Sequence, residues 1–126
     1  MNASSLAIKA YANPEQPTRT LRGTEYELFA RITHKLKRAS ETAGGASFAS
    51  LAQAVYENRR MWVALAADVA LPQNELPPQL RARLFYLNEF TQAHSRKVLA
   101  GAASVDVLID INTAIMRGLR TEGGAA

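Results

Sequence analysis

The chain has 126 residues, of which 48% are hydrophobic, and it carries a net charge of +4 and no cysteine. This length suits a single domain, residues 1–126, with one modest core, and the lack of cysteine excludes disulfides, thiolate metal sites and thiol catalysis. The longest apolar stretch, Met61 to Leu71, is too short to span a bilayer and is interrupted by Asp68. We therefore expect a cytoplasmic protein without membrane insertion.

Glycine and proline clusters divide the chain into segments with helical periodicity. The first predicted helix covers Ala3 to Ala12 and ends before Pro14, because a proline disfavours helical geometry in the residue that precedes it. We expect residues 1–13 to be mobile. The second predicted helix runs from about Thr20 to Ser40 and stops before two glycines at 44–45. Its apolar residues recur at spacings of three, four and seven: Leu21, Leu28, Phe29, Ile32, Leu36 and Ala39.

The third predicted helix has an apolar face that two polar residues interrupt. Ser47 is suited to the N-cap, because its hydroxyl can accept from a free amide of the first turn. The apolar face extends to Val69 and includes Trp62, the only tryptophan in the chain. Asn58 and Arg59 lie on the same face. Polar groups in a core must find hydrogen-bond partners, so these two residues are candidates for a structural or a functional role.

The last two predicted helices follow a loop rich in proline. The fourth begins after a loop that contains Pro72, Asn74, Pro77 and Pro78, with proline tolerated in its first turn, and Gly101 is expected to end it in a left-handed conformation. Ser104 is suited to cap the fifth, whose apolar residues extend from Val105 to Leu119, and the tail at about 119–126 should fray. No strand pattern competes with these assignments. We therefore predict an all-α fold, a small antiparallel bundle of about five helices built mainly from the last four.

Three basic residues lie along one edge of the second predicted helix. Arg31, Lys35 and Arg38 occupy positions i, i+4 and i+7, and Glu27 is placed to pair with Arg31. This pattern is typical of a solvated surface. The alternative is a contact with an acidic partner or with RNA, although a phosphate-binding surface normally carries a denser basic stripe.

Residue types that support catalysis or metal binding are too scattered to form a site. His34 and His94 are far apart, and neither has a histidine or carboxylate at i+3 or i+4. Asp106 and Asp110 lie one helical turn apart, but a carboxylate in a first turn stabilises the helix dipole. We therefore expect no enzymatic activity, no catalytic residue, no metal, no cofactor and no small-molecule substrate.

Four polar side chains fall on helix faces that should be buried: Asn58, Arg59, His94 and Asn112. One interpretation is a buried hydrogen-bond network that holds the third, fourth and fifth predicted helices in one register. The other is a groove in which these donors orient a partner's amphipathic helix. The apolar walls of such a groove would be Trp62, Leu65, Phe90 and Met116. Both interpretations are open at the level of sequence.

Five segments carry a recognisable pattern: PTRTLRGTEYELFARIT (17–33), ENRRMW (57–62), QNELPPQLRARLFYL (73–87), AHSRKVLAG (93–101) and VDVLIDINTAIMRGL (105–119). In order and spacing they resemble the flagellar biosynthesis regulator FlaF family of alphaproteobacteria. The resemblance covers nearly the whole chain and is specific as a set, although no single segment is diagnostic. The first dozen residues and the Gly-Ala tail carry little of it.

The resemblance implies a small, non-enzymatic cytoplasmic protein required for the production and export of flagellin. It implies that the protein binds flagellin and works alongside FlbT, a partner regulator of flagellin translation. Flagellin subunits have amphipathic terminal helices that lack a packed partner before assembly, and an apolar groove can cover them. We therefore predict a flagellin-binding secretion chaperone and regulator of flagellin synthesis. The alternative is a post-transcriptional regulatory adaptor that acts on flagellin mRNA with or through FlbT.

Overall fold

The computed structural model describes the backbone of residues 17–41 and 46–125 and, within these ranges, the side chains of 26–41 and 48–118. The described residues form four helices and no strand, which confirms the all-α prediction. They are α1 (Pro17–Glu41), α2 (Ala46–Val69), α3 (Pro78–Leu99) and α4 (Asp106–Ala125). These correspond to the second to fifth predicted helices. The first predicted helix, with the mobility expected of residues 1–13, lies outside the described residues.

Both ends of α3 follow the predicted local chemistry. Pro78 occupies the first position of the helix, where its missing amide proton costs no hydrogen bond. Gly101 follows the helix with a φ of 78°. Its amide donates to Val98 O at 3.0 Å, and the amide of Ala102 donates to Lys97 O at 2.8 Å. These bonds satisfy the last carbonyls of the helix and require a left-handed residue at 101, which glycine adopts without strain.

The starts of α2 and α4 differ in their agreement with the sequence prediction. Ser104 Oγ accepts from the amide of Asp106 at 3.0 Å, so it caps α4 as predicted. α2 begins at Ala46. The predicted N-cap at Ser47 is therefore wrong, because an N-cap residue precedes the first helical residue. α4 continues as helix to Ala125, past the point where the sequence predicts a frayed tail. Fraying of that tail stays a prediction.

The helices form an antiparallel bundle with one loosely packed side. α1 packs against α2 and α4, and α2 also packs against α3, whereas α3 and α4 make the weakest contact of the neighbouring pairs. Lys35 Nζ bonds Glu57 Oε1 across α1 and α2 at 2.9 Å, and Arg59 Nε donates to Gln92 Oε1 across α2 and α3, also at 2.9 Å. The helices therefore follow one another around the bundle in chain order, and the open side lies between α3 and α4.

The core consists of two apolar clusters stacked along the bundle, with polar residues between them. The first cluster, toward the α2–α3 loop, comprises Phe29, Ile32, Met61, Trp62, Leu65, Val69, Leu76 and Leu84. The second cluster, toward the α3–α4 loop, comprises Leu36, Ala39, Ala54, Val55, Val98, Val105 and Leu108. Five buried polar residues lie between the clusters along their helices, and we call them the polar layer: Thr33, Asn58, Thr91, Ser95 and Asn112.

Candidate functional site

Three side chains of α2 and α4 form a hydrogen-bonded chain in the core. Trp62 Nε1 donates to Asn112 Oδ1 at 2.9 Å, and Asn112 Nδ2 donates to Asn58 Oδ1 at 2.8 Å. All three side chains are buried. Because an indole nitrogen can only donate, it fixes the orientation of the Asn112 amide and, through it, that of Asn58. These bonds fix the axial register of α2 and α4, two helices that are not neighbours around the bundle.

Arg59 is held against α3 by reciprocal hydrogen bonds. Its Nε donates to Gln92 Oε1, while Gln92 Nε2 donates to the backbone carbonyl of Arg59 at 3.1 Å and to Asn88 Oδ1 at 3.0 Å. The Arg59 side chain is half-buried. These bonds give it a structural partner on the side of α3 that faces α2.

His94 joins the end of α3 to the start of α4. Its half-buried ring places Nε2 2.9 Å from the carbonyl oxygen of Ser104, and the nitrogen must donate because a carbonyl oxygen only accepts. Phe90 stacks on the imidazole with a centroid distance of 5.4 Å and an interplanar angle of 19°. The two helices are therefore fastened at the end where a short loop connects them.

The eight predicted groove residues fall into two groups. Four are buried in the core: Asn58, Trp62, Leu65 and Asn112. The other four are half-buried or exposed: Arg59, Phe90, His94 and Met116. The buried group contains a hydrogen-bond network, so for these side chains the structure favours the network interpretation. Their contact with a partner stays a prediction, and it requires the bundle to open.

The open side between α3 and α4 carries apolar side chains that are only half-buried. Leu80 and Leu87 of α3 and Ile111 and Ile115 of α4 pack against the edge of the first cluster. Given the order of the helices around the bundle, helical spacing places Ile111 and Ile115 on the flank of α4 that faces α3 and Met116 on the flank toward α1. We call the surface formed by these two leucines and two isoleucines the α3–α4 groove.

One aromatic side chain of α3 lies at the rim of this groove, and a second lies on the solvent side of that rim. Tyr86 is 64% exposed and Phe90 is 38% exposed. Phe90 lies one turn before His94, which contacts the start of α4, so it follows the edge of α3 that faces α4. Tyr86 lies a further turn away and is rotated toward solvent, so it borders the rim on its outer side. Tyr86 was not predicted as a site residue. The signal that points to it is the aromatic pair at i and i+4, set beside the leucine stripe of the same helix.

A shallow cleft of about 240 Å³ lies elsewhere, where α2 ends and α3 begins. Arg81 at its edge donates through Nε to Val69 O at 2.7 Å and through Nη2 to Leu71 O at 2.9 Å. These bonds engage the guanidinium with the α2–α3 loop. The cleft is lined by Val69, Ala70, Pro78, Arg81, Ala82 and Phe85.

The three basic residues of α1 are exposed, and Lys35 is paired with a carboxylate of α2. Lys35 bonds Glu57, while Arg31 and Arg38 lie on the same exposed edge. The hydrogen bond from Gln53 Nε2 to Glu57 Oε2 at 2.9 Å, with the hydrogen bond and charge of Lys35, lowers the pKa of Glu57 below 4.5 against the opposing effect of its burial. A carboxylate of α2 thus offsets part of the positive charge of this edge.

The residues that the structure describes include neither a membrane-spanning helix nor a cluster suited to a metal ion. None of their helices is long and apolar enough to cross a membrane. Within 17–41 and 46–125, no group of three or more His, Asp and Glu side chains is placed to hold a metal ion.

The family model for the flagellar protein FlaF matches residues 7–119. No curated protein and no solved structure matches the chain. The matched range includes the polar layer and the α3–α4 groove. The family match confirms the resemblance inferred from the five sequence segments.

Proposed function

The chain belongs to the FlaF family of flagellar proteins, and we propose that it binds flagellin as a secretion chaperone and regulates flagellin synthesis during flagellum assembly. On this proposal it acts in the cytoplasm without enzymatic activity, and an amphipathic terminal helix of flagellin docks in the α3–α4 groove. The observation that carries the proposal is the combination, on one side of the bundle, of half-buried aliphatic side chains with an exposed aromatic rim.

The groove has the apolar surface that recognition of an amphipathic helix requires. Such a helix binds through a few apolar anchors and needs polar groups at the edge to orient it. The aliphatic floor supplies the apolar surface, and Tyr86 and Phe90 are residue types enriched at protein interfaces. Because α3 and α4 are fastened by the bond from His94 to Ser104 and otherwise contact little, a helix can enter between them with little loss of native packing.

Export requires that the complex also dissociates. Burial of apolar surface favours binding, but ordering of flagellin helices that are unfolded before assembly subtracts from that gain. The net affinity is therefore lower than the buried area alone implies. This balance suits a chaperone that covers a subunit and then releases it at the export gate.

Calorimetric titration with purified monomeric flagellin tests the proposed site. Tyr86→Asp places a charge at the outer border of the rim, where a docked helix must desolvate it, so we expect an affinity lower by at least about tenfold. Tyr56→Asp is the matched control, because Tyr56 is 54% exposed and lies on α2 beside Arg60, away from the groove. We expect it to bind within about twofold of the unmodified protein. Equal affinities for all three proteins, at unchanged helical circular dichroism, would contradict the proposed site.

The second candidate function is a regulatory adaptor that acts on flagellin mRNA with or through FlbT. It is favoured by the exposure of Arg31, Lys35 and Arg38 on one edge of α1, although the pairing of Lys35 with Glu57 reduces the charge available. Direct RNA binding predicts an affinity that falls steeply with salt and weakens in an Arg31→Ala, Arg38→Ala double variant. Fluorescence anisotropy with flagellin leader RNA, with and without FlbT, measures both effects. No binding to RNA at low salt in either condition excludes this candidate.

A further inference from the structure

The polar layer begins with two residues at the same height in α1 and α2. The bond between Lys35 and Glu57 sets the register of these antiparallel helices. Thr33 and Asn58 lie within two residues of that bond along their own helices, and both are buried between the two apolar clusters. α1 therefore presents a hydroxyl at the level where α2 presents an amide.

α3 and α4 reach the same level. The reciprocal bonds between Arg59 and Gln92 set the register of α2 against α3. In that register Asn58 falls between Thr91 and Ser95, which are one turn apart and both buried. α4 contributes Asn112, whose Nδ2 donates to Asn58 Oδ1. Each of the four helices thus contributes at least one polar side chain to a single level of the core.

Four polar atoms at this level have no hydrogen-bond partner within the described part of the protein: Thr33 Oγ1, Asn58 Nδ2, Thr91 Oγ1 and Ser95 Oγ. A flip of the Asn58 amide cannot provide one, because Oδ1 must face the donor of Asn112. Buried groups of this kind are unfavourable when unpaired, and in folded proteins they nearly always bond to protein or to ordered water.

We propose that the polar layer is a binding site for ordered internal water between α1, α2 and α3. Water both donates and accepts, and a buried molecule typically makes about three hydrogen bonds. At this site it accepts from Asn58 Nδ2 and donates to hydroxyl oxygens of Thr33, Thr91 or Ser95, which can also reverse their own role. Among the described residues the backbones of α1 and α3 do not approach each other closely. The water therefore extends the hydrogen-bond network of Asn58 to α1 and α3.

A crystal structure at a resolution that shows ordered water tests the site directly. The expected result is a water within hydrogen-bond distance of Asn58 Nδ2 and of at least one hydroxyl of the layer. The proposal is overturned if no water contacts Asn58 and the hydroxyls instead donate to carbonyls of their own helices.

A double-mutant cycle tests the same site in solution. Thr33→Val and Thr91→Val each replace a hydroxyl by a methyl group of similar shape. If both hydroxyls bond the shared water, each variant raises the equilibrium constant of urea unfolding by about fivefold. The constant of the double variant should then differ by more than about twofold from the value expected if the two single effects were independent. Additive effects, or valine variants more stable than the unmodified protein, overturn the proposal. Thr113→Val on α4 is the half-buried control, expected to change the constant by less than about twofold. Ser95→Ala replaces either variant if it fails to fold.

Discussion

Replacement of Asn112 by alanine tests how much the buried network stabilises the fold. Asn112 is 1% exposed, accepts from Trp62 Nε1 at 2.9 Å and donates to Asn58 Oδ1 at 2.8 Å. The substitution leaves a buried donor and a buried acceptor without partners, and each such group costs about 1–3 kcal/mol. The sum is about 2–6 kcal/mol, and we expect a loss of about 3 kcal/mol, which is a large part of the free energy of unfolding of a domain this size.

Urea unfolding followed by far-ultraviolet circular dichroism measures this loss, because helix is the dominant secondary structure. Asn88→Ala is the matched control. Asn88 is half-buried on α3 and accepts one hydrogen bond from Gln92, so its replacement should cost less than about 1 kcal/mol. A cost for Asn112→Ala below about 1 kcal/mol, or equal to that of the control, would refute the stabilising role of the network.

Two further predictions concern a loop glycine and a surface carboxylate. Gly101→Ala should lower the free energy of unfolding by about 1 kcal/mol, because its φ of 78° strains alanine although nothing lies within 4 Å of the added Cβ. Gly118→Ala in α4 has the same free space without that φ and should raise the free energy of unfolding by up to about 1 kcal/mol. The two substitutions should therefore shift the midpoint of thermal unfolding in opposite directions, and shifts in the same direction would contradict the reasoning. The hydrogen bond from Gln53, together with the bond and charge of Lys35, lowers the pKa of Glu57 in the folded protein. The ionised carboxylate therefore stabilises the fold fully above the ordinary pKa of 4.5, and this contribution is lost as the pH falls through the lowered pKa. The stability difference between the unmodified protein and Glu57→Gln should therefore shrink on acidification below 4.5, and a constant difference in urea titrations would count against it.

The helices and most of their ends could be predicted because they depend on local chemistry. Pro78, Gly101 and Ser104 each satisfy or relieve backbone groups within a few residues of themselves, so the sequence contains the whole cause. Ser47 shows the limit of such signals. A good capping residue one position inside the helix is indistinguishable, in sequence, from one at its start.

The arrangement of the candidate site depends on packing between distant segments. The positions of Asn58 and Asn112 on apolar faces marked them as unusual, but these residues are 54 positions apart in sequence, and their meeting depends on the register of α2 against α4. Tyr86 was missed for a related reason. Whether an aromatic residue is buried or forms a rim depends on how closely α4 approaches α3, and helical periodicity within α3 contains no information on that distance.

Site-specific photo-crosslinking tests the docking of flagellin in the α3–α4 groove most directly. A photoreactive phenylalanine analogue replaces Tyr86 in one sample and Tyr56 in another, and each is irradiated with purified monomeric flagellin. Both positions are well exposed, so they differ mainly in the face of the bundle that they occupy. We predict a covalent adduct with flagellin from position 86 and none from position 56. An adduct from position 56 alone, or from neither position while the proteins still co-elute, would contradict the proposed groove.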